Sequence, residues 1–166
     1  DPVEARAIFR YAMTHQGPLY IRMDSSPMPV MHGDDYEFIP GRLDVLQRGD
    51  DVAIFAVGSV VCEAVDAASK LADQGIAATV VNVSSIRPLA SREIVSIASG
   101  VKKVVSVEEH VRSGGIGSLV TEALMDAGVC MPVRRLGFEE GAFPKAGPRA
   151  QMRRHCGFDA EAIVQA

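Results

Sequence analysis

DVAIFAVGS, residues 51–59, decides the fold. The run from Val52 to Val57 is apolar throughout and leaves no polar face for solvent, so it reads as a central strand of a parallel sheet covered on both sides. Gly58-Ser59 then supplies a turn and a capping serine. Val61, Val65, Ala68 and Leu71 recur at helical spacing as far as Gln74-Gly75, where Gly75 stops the helix.

Working outward to the C-terminal side, the order repeats. Residues 77–83 read as a strand, 91–98 as a helix, 101–107 as a strand, 118–127 as a helix and 133–136 as a last strand, with short helices near 147–156 and 159–165. Strands alternating with helices imply right-handed crossovers. The fold class expected is α/β, a mostly parallel or mixed five-stranded sheet with helices on both faces.

On the N-terminal side the pattern is different. Residues 1–15 open as a helix, with Asp1 to cap it, Pro2 at the first position and Glu4 completing a capping box. Gln16-Gly17-Pro18 ends it, and Leu19-Tyr20-Ile21-Arg22 reads as a short strand. Ser25-Ser26-Pro27, Pro29, Gly33, Pro40 and Gly41 then break any long element, leaving Tyr36–Phe38 and Leu43–Leu46 as a small hairpin. The organisation expected is a helix and strand without a sheet over 1–31, a linker with a hairpin over 32–49, and the main domain over 50–166.

With 166 residues, 48% of them hydrophobic and 23% charged, the chain can bury the core of one domain. A net charge of −4 with dispersed Lys and Arg gives no stripe to neutralise nucleic-acid phosphates. The dense basic spots, Arg134-Arg135 and Arg149 to Arg154, stand near Glu139 and Glu140 and read as solvated surface. Cys62, Cys130 and Cys156 are odd in number and widely spaced, which argues against a disulfide framework and a zinc site. No stretch approaches the roughly 20 apolar residues that span a bilayer, and no leader pattern opens the sequence. A soluble cytoplasmic protein, binding neither nucleic acid nor membrane, is expected.

In an open α/β sheet, ligands bind outside the carboxyl ends of the strands. Gly58-Ser59 has one glycine and no lysine, so a tight turn with a serine cap outweighs an anion site there. The segment after Val107 is the most function-like, with Glu108, Glu109, His110, Arg112, Gly114, Gly115 and Gly117 ahead of a helix. As a dinucleotide fingerprint it fails at Val120, where the third glycine belongs. His110 adjoins no nucleophile motif, and His155-Cys156 lacks the i, i+4 spacing of metal ligands on a helix. No catalytic, cofactor-binding or metal-binding residue is assigned. A self-sufficient α/β module that binds a nucleotide or effector through the glycine loop stays open as an alternative.

Five landmarks occur in order: Asp50 to Ser59; Ile86-Arg87-Pro88-Leu89; Val107-Glu108-Glu109-His110 with Gly114-Gly115-Ile116-Gly117; Leu136-Gly137-Phe138 leading to Phe143-Pro144; and the tail from Met152 through Gly157 to Ile163. Together they resemble the C-terminal domain shared by transketolases, deoxyxylulose-phosphate synthases and the β subunits of 2-oxoacid dehydrogenases. Residues 1–31 resemble the end of the pyrimidine-binding domain that precedes it, whose other strands would lie upstream.

The resemblance implies a C-terminal fragment of an enzyme that depends on thiamine diphosphate and Mg²⁺, most like the C-terminal subunit of a split transketolase. Such an enzyme transfers two-carbon ketol units between sugar phosphates. A deoxyxylulose-phosphate synthase or a dehydrogenase β subunit are the alternative branches. The resemblance also implies that a missing N-terminal domain or subunit holds the cofactor, that this part alone is inactive and binds none, and that the assembly is a homodimer. Arg22 takes the place of an arginine that holds substrate phosphate, followed by Met23-Asp24-Ser25 where the synthases have a second arginine. The loop bearing Glu108, Glu109, His110, Gly114, Gly115 and Gly117 takes the place of a subunit interface.

Overall fold

The computed structural model describes residues 1–142 and 146–166, so the Phe143-Pro144 landmark lies outside the described residues. Helix α1 (Pro2–Thr14) is followed by strand β1 (Asp44–Gln47), strand β2 (Val52–Val57), a 3₁₀ turn (Gly58–Val60), helix α2 (Val61–Ala72) and strand β3 (Ala78–Asn82). Helix α3 (Ser91–Ala98), strand β4 (Lys103–Val111), helix α4 (Ile116–Asp126), strand β5 (Val133–Phe138), helix α5 (Arg149–Cys156) and helix α6 (Ala160–Gln165) complete the order.

The five strands form one sheet in the order β1-β3-β2-β4-β5. Strand β2 is central, with Ile54 in register with Val80 of β3 and Val105 of β4, both pairings parallel. Strand β1 runs antiparallel to β3 at the edge, so the sheet is mixed. The alternation along β2 assigns the two cores. Val52, Ile54 and Ala56 pack with α2, α6 and Phe158, while Ala53 and Phe55 pack with Ile94 of α3 and Val120 and Leu124 of α4. Burying a side chain such as Phe55 completely contributes about 2 kcal/mol, which is why this run organises both layers.

Three local expectations need correction. Leu19–Arg22 is not a strand. No described residue pairs with it, and strand-forming side chains do not hold an extended backbone without a neighbouring ladder. The hairpin over Tyr36–Phe38 and Leu43–Leu46 is absent as well: residues 36–38 are irregular, and β1 pairs across the sheet with β3. Finally, Glu108-Glu109-His110 belongs to β4, which continues to Val111, with the register against β5 shifting between Val107 and Val111.

Helix α1 carries the capping box foreseen in its sequence. The Asp1 carboxylate accepts the N–H groups of Val3 and Glu4 at 3.0 and 2.8 Å through one oxygen. Its other oxygen accepts the N–H groups of Met31 and His32 at 2.5 and 2.8 Å. Glu4 in turn accepts the Asn82 amide at 2.7 Å, fastening α1 to the carboxyl end of β3.

Candidate functional site: the carboxyl ends of the central strands

The chain leaves β2 toward β3 on one side and returns to β4 on the other, so the crevice between the carboxyl ends of β2 and β4 is the topological switch point. Ser59 and Glu109 face each other across it, with the Ser59 hydroxyl 3.4 Å from Glu109 Oε2. Ser59 is therefore not the helix cap expected from sequence; neither the 3₁₀ turn nor α2 has a side-chain cap.

Two arginines of α5 fill the crevice. Arg153, 5% exposed, donates to Ser59 Oγ at 2.7 Å, to Glu109 Oε2 at 3.1 Å and to Glu63 Oε1 at 3.0 Å. Arg149, one turn earlier, donates from Nε and Nη2 to the Glu109 carboxylate at 2.9–3.2 Å. Its Nη1 reaches Asp24 Oδ1 at 2.5 Å and Ser26 Oγ at 2.8 Å. That hydrogen bond from Arg149 holds the Asp24 carboxyl well below the usual carboxylate range. Glu63 passes the connection onward, accepting the Ala160 N–H at 3.0 Å.

An ion-pair chain thus runs Asp24–Arg149–Glu109–Arg153–Glu63 and ends on α6. This corrects the reading of Arg149 to Arg154 as uniformly solvated: only one face of α5 meets water, and Arg154 is the solvated member, its side chain 80% exposed. The missed signal was spacing, because Arg149 and Arg153 stand i, i+4 and share a helix face. Arg149 opens α5 and is set against the helix dipole, so the acids opposite supply its compensation, whereas Arg153 stands in the last turn, where a cation suits the dipole.

The glycine segment is occupied from within the chain. Glu108 is 2% exposed and accepts the N–H groups of Ile116 and Gly117 at 2.8 and 3.1 Å, the donors at the start of α4 that would otherwise be offered to a phosphate. Burial pushes the Glu108 carboxyl above its ordinary value, opposed by those two hydrogen bonds. Gly115 lies against it and Gly117 against Ser106 and Arg135, whereas His110 and Gly114 are exposed and Glu109 is half-buried in the arginine network. The expected interface loop therefore splits into an inward half that caps α4 and an outward half around His110 and Gly114.

Arg22 lies apart from both, exposed in the irregular segment after α1. Among the described residues it makes no ion pair. Asp24, two positions on, ties this segment to Arg149.

The geometry defines an α/β domain whose usual ligand crevice is closed by its own side chains. A model of the transketolase C-terminal domain matches residues 41–163, and the chain belongs to that family. An apulose-4-phosphate transketolase subunit of Actinobacillus succinogenes is 48% identical over 164 residues, covering 99% of this chain and 53% of that protein. 1-Deoxy-D-xylulose-5-phosphate synthase 1 of Geobacter sulfurreducens is 36% identical over 169 residues, covering 100% of this chain and 26% of that enzyme. Among solved structures, a split gene transketolase, an inactive beta4 tetramer, superposes with a TM-score of 0.90 at 35% identity, over 99% of this chain and 53% of that one. The chain spans about half the length of these subunit-sized relatives. Among the described residues no helix is long and apolar enough to cross a membrane.

Proposed function

We propose that this chain is the C-terminal part of a split transketolase, transferring a two-carbon ketol unit between sugar phosphates together with an N-terminal partner. The observation that carries the reading is the 48% identity to an apulose-4-phosphate transketolase subunit along nearly the whole chain. Residues 1–31 are the end of the pyrimidine-binding domain, and the linker that follows is shorter than 32–49, because β1 belongs to the sheet and the family match begins at residue 41. The assembly works as a dimer of such units in the cytoplasm.

Thiamine diphosphate with Mg²⁺ supplies the electron sink for this chemistry in the complete enzyme. The described residues do not fit that group. They contain no cluster of three His, Cys, Asp or Glu side chains able to hold a metal, and the crevice at the strand ends is filled by Arg149 and Arg153. No reaction step is assigned to this chain. Its contributions are structural, except for Arg22, whose guanidinium offers paired donors to a substrate phosphate. The outward part of the glycine loop, with His110 and Gly114, is offered to a neighbouring subunit.

The synthase reading is supported by the match to 1-deoxy-D-xylulose-5-phosphate synthases. The 48% identity to the transketolase subunit, against 36% and 39% to the two synthases, favours the transketolase branch. The test is reconstitution of the full-length subunit with its N-terminal partner, thiamine diphosphate and Mg²⁺. Ketol transfer from a ketose phosphate is expected, and R22A should raise KM for phosphorylated substrates about tenfold or more, as loss of a charge-assisted contact implies. Condensation with an aldehyde and loss of CO₂ from a 2-oxoacid, without ketol transfer, would assign the synthase branch.

A further inference from the structure

We propose that Arg149 is a positioning residue for the substrate arginine: it ties the segment that carries Arg22 to the carboxyl end of β4 through Asp24 and Glu109. The inference rests on the reading of Arg22 as a phosphate-binding residue.

The segment between α1 and β1 has little else to define it. From His15 N–H to Gly33 C=O no backbone–backbone hydrogen bond is made within the segment or to the sheet, among the described residues. Its fixed points are side-chain ties. At its far end Asp1 holds Met31 and His32. In the middle, Asp24 accepts the Ser26 N–H at 2.9 Å, closing a tight turn, and Arg149 grips both members of that turn. The opposite edge of the same guanidinium lies on Glu109, which Arg153 holds in turn.

Arg149 therefore joins a segment without a ladder to the half-buried carboxyl end of β4. Asp24 stands two positions after Arg22, at most about 7 Å along the chain, so a displacement of the turn is passed to the Arg22 backbone with little loss. Misplacing a binding group by about 1 Å can cost up to about a hundredfold in rate. A lysine cannot replace this arginine, because a single ammonium does not present two edges to two carboxylates.

The experiment uses the reconstituted enzyme. R149A should raise KM for a phosphorylated ketose about fivefold to tenfold, leave kcat within about twofold, and leave the kinetics of an unphosphorylated ketol donor unchanged. In the R22A background R149A should add nothing, since both act on one contact. R149K should recover only part of the loss, and D24A, which cuts the near end and leaves Arg149–Glu109–Arg153 intact, should reproduce R149A should that variant fail to fold. Exchange of the Ser26 N–H, which Asp24 accepts, should quicken in both. If R22A raises KM while R149A and D24A do not, the positioning role is overturned and Arg22 keeps its own. An equal loss on both donors would make Arg149 a general structural residue and overturn the proposal. An unchanged KM in R22A would remove the phosphate role and the positioning role together.

Discussion

A methyl group on Gly115 would fall 1.9 Å from Oε2 of Glu108. The absence of a side chain at 115 is what lets the carboxylate reach the first N–H groups of α4. The backbone at 115 is extended, at φ −81°, so the requirement is for space and not for a left-handed conformation. G115A should lower unfolding free energy by about 3 kcal/mol, combining overpacking with displacement of a buried acceptor, read from urea denaturation. A loss under about 0.5 kcal/mol would mean that Glu108 is free to move away.

Glu108 gives a pH prediction of defined sign. Burial raises its pKa above the ordinary 4.5, so the folded state holds this proton to higher pH than the unfolded chain does. Between 4.5 and the raised value the folded state binds more protons, and this group's contribution to stability falls as pH rises. E108Q, which offers one acceptor to two converging N–H groups, should cost about 2 kcal/mol at the acid end. The gap between wild type and variant should narrow as pH increases. A gap that widens would show that the two donors outweigh desolvation.

Arg153 and Arg154 are neighbours in sequence with opposite expectations. R153M leaves Glu63 and Glu109 without their buried partner and should cost about 3 kcal/mol. R154M removes an exposed side chain whose contact to Asp159 is 3.5 Å long, and thermal unfolding should change by less than about 0.5 kcal/mol equivalent. Equal effects would place α5 in a different rotation about its axis.

Asp1 serves two elements with two oxygens. D1A in the full-length subunit should cost about 2 kcal/mol, and D1S about half of that, because serine keeps the helix cap but cannot also accept from Met31 and His32. Near-equal values for the two variants would assign the whole effect to the cap.

The architecture was largely legible in the sequence, because Val52–Val57, Ala78–Val83 and Ser91–Ala98 state their periods without competition from function or strain. What misled was charge. Glu108-Glu109-His110 looks like loop, yet it is strand, since one carboxylate is satisfied by α4 and the next by α5, and neither needs water. Arg149 and Arg153 looked like surface for the same reason: their partners, Asp24, Ser59, Glu63 and Glu109, are scattered through the chain, and no local pattern announces them. Leu19–Arg22 failed as a strand because composition gives a residue its preference but not its neighbour. The crevice itself could be located from the order of elements; that it is filled from within could not.

The contact between Asp24 and Arg149 spans 125 positions. A ribosome adding about 5–20 residues each second leaves the segment around Arg22 waiting on the order of 10 s for its anchor to be made. During synthesis that segment is therefore exposed to whatever else can bind it, and a message cut short before the codon for Arg149 yields a chain that never secures the Arg22 segment and lacks Phe158 and α6, which cover one face of β2.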